Sequence, residues 1–447
     1  MLIWAIKCPF LRLIFVLNLA MTLYQKLLFC GAFLLLSGGS YAQFDNINAE
    51  NEIYADYIES VQFNHNNVQL SMPIIDLNSG GRLRLQFDDR EGGFKNYTYH
   101  LIHCDKDWNY SNLDEIEYID GFNGEEVDEF GFSVNSYSEY TNYQVVIPND
   151  DIRWTISGNY LLVIYDSDLE LPILSRRFIV TENAVSVGAT FVKPRNLATL
   201  RTHQELEILL NLGDFRVFRP QEEIFVTVMQ NGNDNNAFNN LQSNFSRGDI
   251  LHFQNFNQQV SFAALKEFRA CDIRTLNSRT ENVISIDRDD IKSTVIMDLG
   301  KKRSNKNFQT EPDANGGYVI DNNDFDNGEI SSEYVDVIFS LEVDRPYLEE
   351  IYLVGSFCDW KPREKFKLEW NAERNIYLKK VSLKQGYYDY MFGVLKSDGI
   401  LEMADIEGSW YETENDYQII TYYRGMTSEY DRVIDVNVIT SNPNGIR

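Results

Sequence analysis

The chain has 447 residues, of which 67 are acidic and 40 are basic, and its formal net charge at neutral pH is −27. A surface of this sign repels the phosphates of nucleic acids and anionic lipids, so neither is predicted as a direct partner. The length and an apolar content of 44% are ample for two or three globular domains. The 26 tyrosines and 28 phenylalanines favour a mainly β fold.

The N-terminal 42 residues predict a cleavable signal peptide whose true start is Met21. An apolar run over residues 27–36 precedes Ser40-Tyr41-Ala42, which has the small-x-small pattern for cleavage after Ala42. An uncleaved membrane anchor is the alternative. No stretch here provides the roughly 20 uninterrupted apolar residues that a spanning helix needs, so we expect an exported protein without direct membrane insertion after cleavage.

Three cysteines, Cys104, Cys271 and Cys358, follow the predicted cleavage site. Their number is odd, they are widely spaced, and they form no Cys-x-x-Cys pair. We therefore expect small buried apolar residues rather than a disulfide framework.

Short strands separated by turn signals run from residue 68 to residue 180. Residues 83–87 alternate cleanly, residues 143–147 stop at Pro148-Asn149, and residues 160–165 follow Ser157-Gly158-Asn159. This spacing is typical of an antiparallel β-sandwich. We predict an immunoglobulin-like first domain, without the inter-sheet disulfide, over residues 43–183.

The segment 96–108 holds two of the five histidines and a cysteine beside two aspartates. Strand alternation would place Tyr97, Tyr99, Leu101 and His103 on one face, and Thr98, His100, Ile102 and Cys104 on the other. A zinc site needs three or four converging ligands, whereas this strand offers at best His100 with Cys104, about 13 Å apart. We predict a structural role.

Six short motifs follow one another in a fixed order along this domain. They are Phe87-Asp88-Asp89, His103-Cys104 with Trp108, Glu117-Tyr118 with Gly121-Phe122, Tyr140-Thr141-Asn142-Tyr143, Pro148-Asn149 and Ser157-Gly158-Asn159-Tyr160. The series resembles the N-terminal domain of the type IX secretion system plug proteins of Bacteroidetes. The order of six motifs is much more specific than any one of them.

The resemblance implies a non-enzymatic plug, or gate. Such a protein docks on the periplasmic end of the outer-membrane translocon barrel and closes its pore when no substrate occupies it. It implies a periplasmic location and a protein partner. No contact residue can be assigned from the sequence, although surface loops such as residues 120–128 and 231–240 are candidates.

A second β domain is predicted for residues 184–332. Residues 205–212 alternate, and residues 223–231 form another strand, which ends in a Gly/Asn-rich turn over residues 231–240. Residues 301–332 are rich in Asn, Asp and Gly, which predicts a polar linker at the end of this domain.

Within this domain, Glu267-Phe268-Arg269 resembles the Asn-Glu-Phe-Arg part of a second plug-family pattern. Lys266 and Cys271 depart from that pattern. On a strand, Glu267 and Arg269 would share a face, which predicts an ion pair rather than a catalytic pair.

A third sandwich of the early-set type is predicted for residues 333–447, so the expected fold is three tandem β-sandwich domains. Residues 354–360 and 383–392 resemble the sandwich modules that bind glycogen and starch. Those modules stack a sugar ring on exposed aromatic side chains, and the candidates here are Trp360 and Trp410 with Lys384. The alternative is that the tryptophan packs the sandwich edge, and glycan binding by an exported protein is the alternative function.

Sequence motifs for an enzyme are missing. The chain has no Gly-x-Ser-x-Gly, no His-Glu-x-x-His, no phosphate-binding loop and no dinucleotide fingerprint. Adjacent carboxylates such as Asp88-Asp89 and Glu349-Glu350 could in principle act as acid and base in glycoside cleavage. Because 67 acidic residues produce such pairs by chance, we predict no catalytic residue, no cofactor and no metal site.

Overall fold

Strands carry nearly all of the regular structure. The computed structural model describes residues 47–254, 260–289 and 292–441, and the predicted signal peptide lies outside them. Within the described part, the α-helices are single turns of four residues. The predicted mainly β fold is confirmed. No helix in the described ranges has the length and apolar character needed to span a bilayer.

The first sandwich takes up the chain as far as residue 181. Its elements are β1 (Glu52–Ile53), β2 (Ile58–His65), β3 (Ile74–Asp76), β4 (Leu83–Asp89), β5 (Tyr97–Cys104), α1 (Glu115–Tyr118), β6 (Ile119–Gly121), β7 (Glu125–Glu126), β8 (Glu129–Phe132), β9 (Thr141–Ile147), β10 (Ile152–Trp154), β11 (Gly158–Asp166) and β12 (Leu171–Thr181).

Two sheets face each other in this sandwich. One has the order β1-β12-β11-β5-β7, with β3 parallel to β12, and the other has the order β2-β4-β9-β8. Alternating apolar residues of β4 and β5, such as Leu85, Phe87, Tyr97 and Leu101, meet in one core cluster. The burial of alternate residues is what the period of two in these strands predicted.

The second sandwich begins immediately after the first. Its first elements are β13 (Ser186–Val192), β14 (His203–Asn211), α2 (Pro220–Glu223), β15 (Ile224–Gln230), β16 (Asn233–Leu241), β17 (Phe245–Arg247), β18 (Ile250–Phe253) and β19 (Val260–Ala263).

The remaining elements form the third sandwich, except for the last two strands, which belong to the second. They are β20 (Arg269–Asp272), β21 (Val283–Arg288), β22 (Ser293–Met297), β23 (Gly300–Lys301), β24 (Tyr318–Ile320), α3 (Gly328–Ser331), β25 (Tyr334–Glu342), β26 (Ile351–Val354), two 3₁₀ turns (Ser356–Cys358 and Glu364–Phe366), β27 (Glu369–Asn371), β28 (Ile376–Lys384), β29 (Gly386–Leu395), β30 (Leu401–Glu402), α4 (Ala404–Glu407), β31 (Asp416–Tyr423) and β32 (Arg432–Thr440).

Strand pairing nests the third sandwich inside the second. β31 pairs with β15, so one sheet of the second sandwich has the order β16-β15-β31-β32. β20 pairs with β29 and β22 pairs with β25. Strands β20 to β22, which precede residue 298, therefore belong to the third sandwich. The predicted tandem boundaries at 184–332 and 333–447 therefore do not follow the sheets, because turn signals mark strand ends but not strand partners.

Two segments predicted as irregular take part in sheets. The Asn-rich residues predicted as a turn form strand β16. This strand pairs with β15, where Val228 lies opposite Phe238. The predicted linker contains β24, which pairs with β29. Its Tyr318 hydroxyl donates to the backbone oxygen of Val61, 2.5 Å away in the first sandwich. Composition predicted irregular structure for both segments, because it does not show that neighbouring strands supply the hydrogen bonds of their backbone groups.

The first and second sandwiches share an apolar contact. Ile179 of β12 packs with Ile420, Tyr422 and Val433 of the second sandwich. The Tyr422 hydroxyl lies 3.1 Å from Oδ1 of Asn159, to which it donates. These contacts bury side chains of the outward face of β12, which in an isolated sandwich would meet water.

Candidate functional site

The histidine of the His-Cys motif is a core residue of the first sandwich. His103 is buried, and its Nε2 lies 3.3 Å from the backbone oxygen of Ser157. The rings of Tyr160, Tyr118 and Tyr430 surround it, with centroids 5.0, 5.8 and 5.6 Å away. Burial lowers the pKa of His103 to about 4, so the ring is neutral at neutral pH.

His100 and Cys104 are buried separately from His103. The ring of His100 packs edge-on against Tyr165 with centroids 4.9 Å apart. Burial lowers the pKa of His100 to about 4 and raises the pKa of the Cys104 thiol to about 12. A neutral imidazole and a protonated thiol do not form an activated nucleophile. Over the described ranges, no group of three or more His, Cys, Asp or Glu residues could hold a metal ion.

The three cysteines are buried, as predicted. Cys104, Cys271 and Cys358 are free thiols with no exposed surface. Burial raises the pKa of the Cys358 thiol to about 12. Each thiol therefore stays protonated at neutral pH and packs as a small apolar side chain.

Two of the sequence motifs meet at Gly158. Its φ of +152° is a conformation that L-residues rarely adopt, and an added Cβ would lie 2.2 Å from Nε2 of His103. We expect Gly158→Ala to lower the free energy of unfolding by about 2 kcal/mol. Urea denaturation measures this loss. Gly188→Ala, where a Cβ would meet nothing within 4 Å, is the matched control and should be neutral; similar losses in both would contradict the motif contact.

Lys384 lies in a buried junction between the first and third sandwiches. Its Nζ is 2.6 Å from Oδ2 of Asp88, and the two side chains are 1% and 0% exposed. The same Nζ donates to the backbone oxygen of Glu329 at 2.6 Å and lies 4.1 Å from the centroid of the Tyr140 ring. The ammonium is therefore fully engaged inside the protein.

The carboxylate of Asp88 receives further hydrogen bonds from both sandwiches. The Tyr334 hydroxyl donates to Oδ2 at 2.6 Å, and Nδ2 of Asn142 donates to Oδ1 at 2.8 Å. Its neighbour Asp89 accepts a bond from the Tyr97 hydroxyl at 2.7 Å. Both carboxylates of this pair are thus held by structural donors.

A partly exposed layer of ion pairs borders this junction. Nζ of Lys361 in the third sandwich lies 2.7 Å from Glu50 and 3.0 Å from Glu52. Arg363 contacts Glu52 at 2.6 Å, and Lys365 contacts Glu59 at 2.9 Å. The basic side chains lower the pKa of Glu52 despite its partial burial.

The structure does not bring the three predicted carbohydrate-binding residues to one exposed face. Trp360 is buried, with its ring centroid 5.9 Å from that of Phe268. Trp410 is half-buried and its backbone nitrogen donates to Leu265 at 2.8 Å. Lys384 lies in the junction with Asp88. A sugar ring needs exposed aromatic faces, which Trp360 does not offer.

Residues 58–182 match the family model described as the type 9 secretion system plug protein 1st domain. Residues 58–182 therefore form a domain of the plug family. The match begins with β2 and ends just after β12, so it coincides with the first sandwich and includes all six motifs.

A solved structure resembles the chain over most of its length. It is a crystal structure of a hypothetical protein from Parabacteroides merdae ATCC 43184, with a TM-score of 0.84 and 28% sequence identity. The alignment covers 89% of this chain and 100% of the other. No curated protein matches the chain.

A second buried ionic centre, at Glu407, was not predicted from the sequence. Nε of Arg269 lies 3.0 Å from Glu407, Nε of Arg303 lies 2.6 Å from it, and the backbone nitrogen of Phe392 donates to it at 3.0 Å. These partners keep the pKa of Glu407 below its ordinary value. The predicted pairing of Arg269 with Glu267 was wrong, because the true partner is 138 residues away in sequence.

Proposed function

We propose that this plug-family chain is a non-enzymatic plug, or gate, of the type IX protein secretion system. It would dock on the periplasmic end of the outer-membrane translocon barrel and close the pore when no cargo occupies it. The observation that carries this proposal is the match of residues 58–182, from β2 to the end of β12, to the plug family's first domain.

The way in which the sandwiches are joined supports the proposal. A gate must keep its shape when cargo displaces it, and its contact with the barrel must be weak enough to reverse. Here the first and third sandwiches are joined through the Asp88–Lys384 pair, and the first and second through the contact of Ile179 with Tyr422. Displacement of the protein as one body would break none of these contacts.

The chemistry of the buried groups supports a role without catalysis. His100 and His103 are neutral and the thiol of Cys104 is protonated at neutral pH. The adjacent carboxylates Asp88 and Asp89 are held by structural hydrogen bonds and are fully buried, where a substrate could not reach them.

Co-purification tests the proposal. The full-length chain, tagged at its C-terminus in a host with a type IX system, should recover a very large outer-membrane barrel protein from mild detergent extracts. Imaging of that complex should place the chain at the periplasmic opening. A parallel pull-down on insoluble polysaccharides addresses the glycan-binding alternative. Retention on polysaccharide with no barrel recovered would contradict the plug proposal.

A further inference from the structure

One segment of the first sandwich is strongly acidic. Residues 107–152 contain no Lys, Arg or His. The acidic residues in this segment are Asp107, Asp114, Glu115, Glu117, Asp120, Glu125, Glu126, Asp128, Glu129, Glu139, Asp150 and Asp151. Asp107 pairs with Lys106 and Asp120 pairs with Arg153, whereas the other ten acids form no ion pair within the described part of the chain. The local field therefore attracts cations and basic polypeptides.

Strand β8 runs through this acidic segment and is the last strand of its sheet. The order β2-β4-β9-β8 leaves one side of β8 without a strand partner in the described part of the chain. The backbone nitrogen of Ser133 donates to Tyr140 at 2.9 Å, which fixes the register with β9. In an antiparallel pair the hydrogen-bonding direction alternates, so the backbone N–H and C=O groups of Phe130 and Phe132 point away from β9.

The open edge also carries an aromatic row. Phe94, Phe130 and Phe132 are 60%, 42% and 52% exposed. The ring centroid of Phe130 lies 5.0 Å from that of Phe94 and 5.6 Å from that of Phe132. Natural proteins commonly protect edge strands with Lys, Pro or a covering segment. This edge has neither Lys nor Pro. Ile330 covers only its C-terminal part, since the backbone nitrogen of Val134 donates to the Ile330 oxygen at 2.9 Å and a Cβ added at Gly131 would lie 3.0 Å from Cγ2 of Ile330.

We propose that the β8 edge, defined as residues 129–132 with Phe94, is a docking strand for an extended segment of another protein in which basic and apolar residues alternate. The segment would add to the sheet beside β8, bonding the outward N–H and C=O groups of Phe130 and Phe132. Its apolar side chains would cover the aromatic row. Its basic side chains would face acids such as Glu126 and Glu129.

Charge selects this occupant over a second copy of the chain. Edge-to-edge pairing of two copies would bring together two acidic segments, each of which carries Glu126, Asp128 and Glu129. Repulsion between surfaces of the same sign opposes this association, whereas a basic segment is attracted. The inference goes beyond the proposed gating function and stands on the geometry of the first sandwich, so it does not require that the partner be the translocon.

Binding of synthetic peptides to the full-length mature chain tests the docking strand. The probe is a fluorescein-labelled octapeptide of alternating Lys and Val, followed by anisotropy at low and high salt. We expect saturable binding that weakens with salt. An octapeptide of alternating Lys and Pro has the same charge but lacks half of the N–H groups needed for strand addition, and it should bind at least about tenfold more weakly. An alternating Glu–Val peptide should not bind.

Matched variants locate the site. Phe132→Lys places a charge on the aromatic row and should weaken Lys–Val binding at least about tenfold. Phe218→Lys adds the same charge at a residue 93% exposed in the second sandwich and should leave binding unchanged. Hydrogen exchange of the unmodified protein gives an independent readout, since the peptide should protect residues 129–133.

Three results would overturn the inference. They are absence of Lys–Val binding, equal binding of the Lys–Val and Lys–Pro peptides, and binding without protection of residues 129–133. The second would show attraction by charge alone. None of these outcomes bears on whether the chain co-purifies with a translocon barrel, so failure here and failure of the gating proposal are distinguishable.

Discussion

Lys384→Met is expected to lower the free energy of unfolding by about 3–5 kcal/mol, because it leaves the buried carboxylate of Asp88 without its counter-ion. Removing one partner of a buried pair is costly because the other charge cannot be hydrated. Tyr334 and Asn142 would still donate hydrogen bonds to Asp88, but they bring no positive charge. Guanidinium denaturation of the full mature chain measures the loss.

Two comparison variants make this result interpretable. Lys380→Met alters the same strand at a side chain that is 62% exposed and 3.2 Å from Asp336, where a loss below about 1 kcal/mol is expected. The double variant Asp88→Asn with Lys384→Met removes both charges and should recover much of the loss of the single variant. Equal losses for Lys380→Met and Lys384→Met would contradict the importance of charge burial at the junction.

Sequence patterns predicted the first sandwich well, because its strands and turns are specified by residues that are close together in the sequence. Alternation in β5 predicted that Leu101 and His103 share one face, and in the structure both are buried in the first sandwich. The order of the six motifs indicated the plug family, which the match over residues 58–182 confirms. These signals depend on neighbours within about ten residues, where the period of a strand and the chemistry of a turn are decisive.

Partners that are far apart in sequence could not be predicted in this way. Lys384 was predicted as a carbohydrate-binding residue from its neighbours in sequence, yet it pairs with Asp88, 296 residues earlier. The nesting of the third sandwich depends on β31 pairing with β15, where Tyr423 lies opposite Ile224, 199 residues earlier. A single sequence records which residues can pair, whereas the choice among possible partners is made by packing of the whole chain.

The distribution of charge connects the fold with the proposed docking strand. Several basic side chains of the third sandwich, including Lys361, Arg363 and Lys365, pair with acids of the first. Arg269 and Arg303 are used internally by Glu407. Because many basic side chains form ion pairs within and between the sandwiches, segments such as residues 107–152 keep an excess of unpaired acidic residues. This excess, which contributes to the net charge of −27, favours the binding of a basic partner at these segments.

Glu267→Gln is expected to stabilise the protein at pH 8 by about 3 kcal/mol more than at pH 5. Glu267 is buried, its Oε1 has no hydrogen-bond partner, and burial together with the nearby Asp313 raises its pKa to about 8. In the unfolded chain this carboxyl ionises near its ordinary pKa of 4.5. Between these two values the unfolded chain binds fewer protons than the folded protein, so stability falls as the pH rises, and glutamine removes that loss.

Comparing the variant with the unmodified protein at each pH isolates this carboxyl. The buried His100 and His103 have lowered pKa values and destabilise the folded protein as the pH falls below about 6.5, which is the opposite direction. Their contribution is the same in both proteins and cancels. Glu281 is exposed and lines the same surface cleft as Glu267. Glu281→Gln should therefore change the free energy of unfolding little at either pH. The stabilising effect of Glu267→Gln increases between pH 5 and pH 8 only if the folded protein keeps this carboxyl protonated at pH 5. Equal effects at the two pH values would show that Glu267 is already ionised in the folded protein at pH 5.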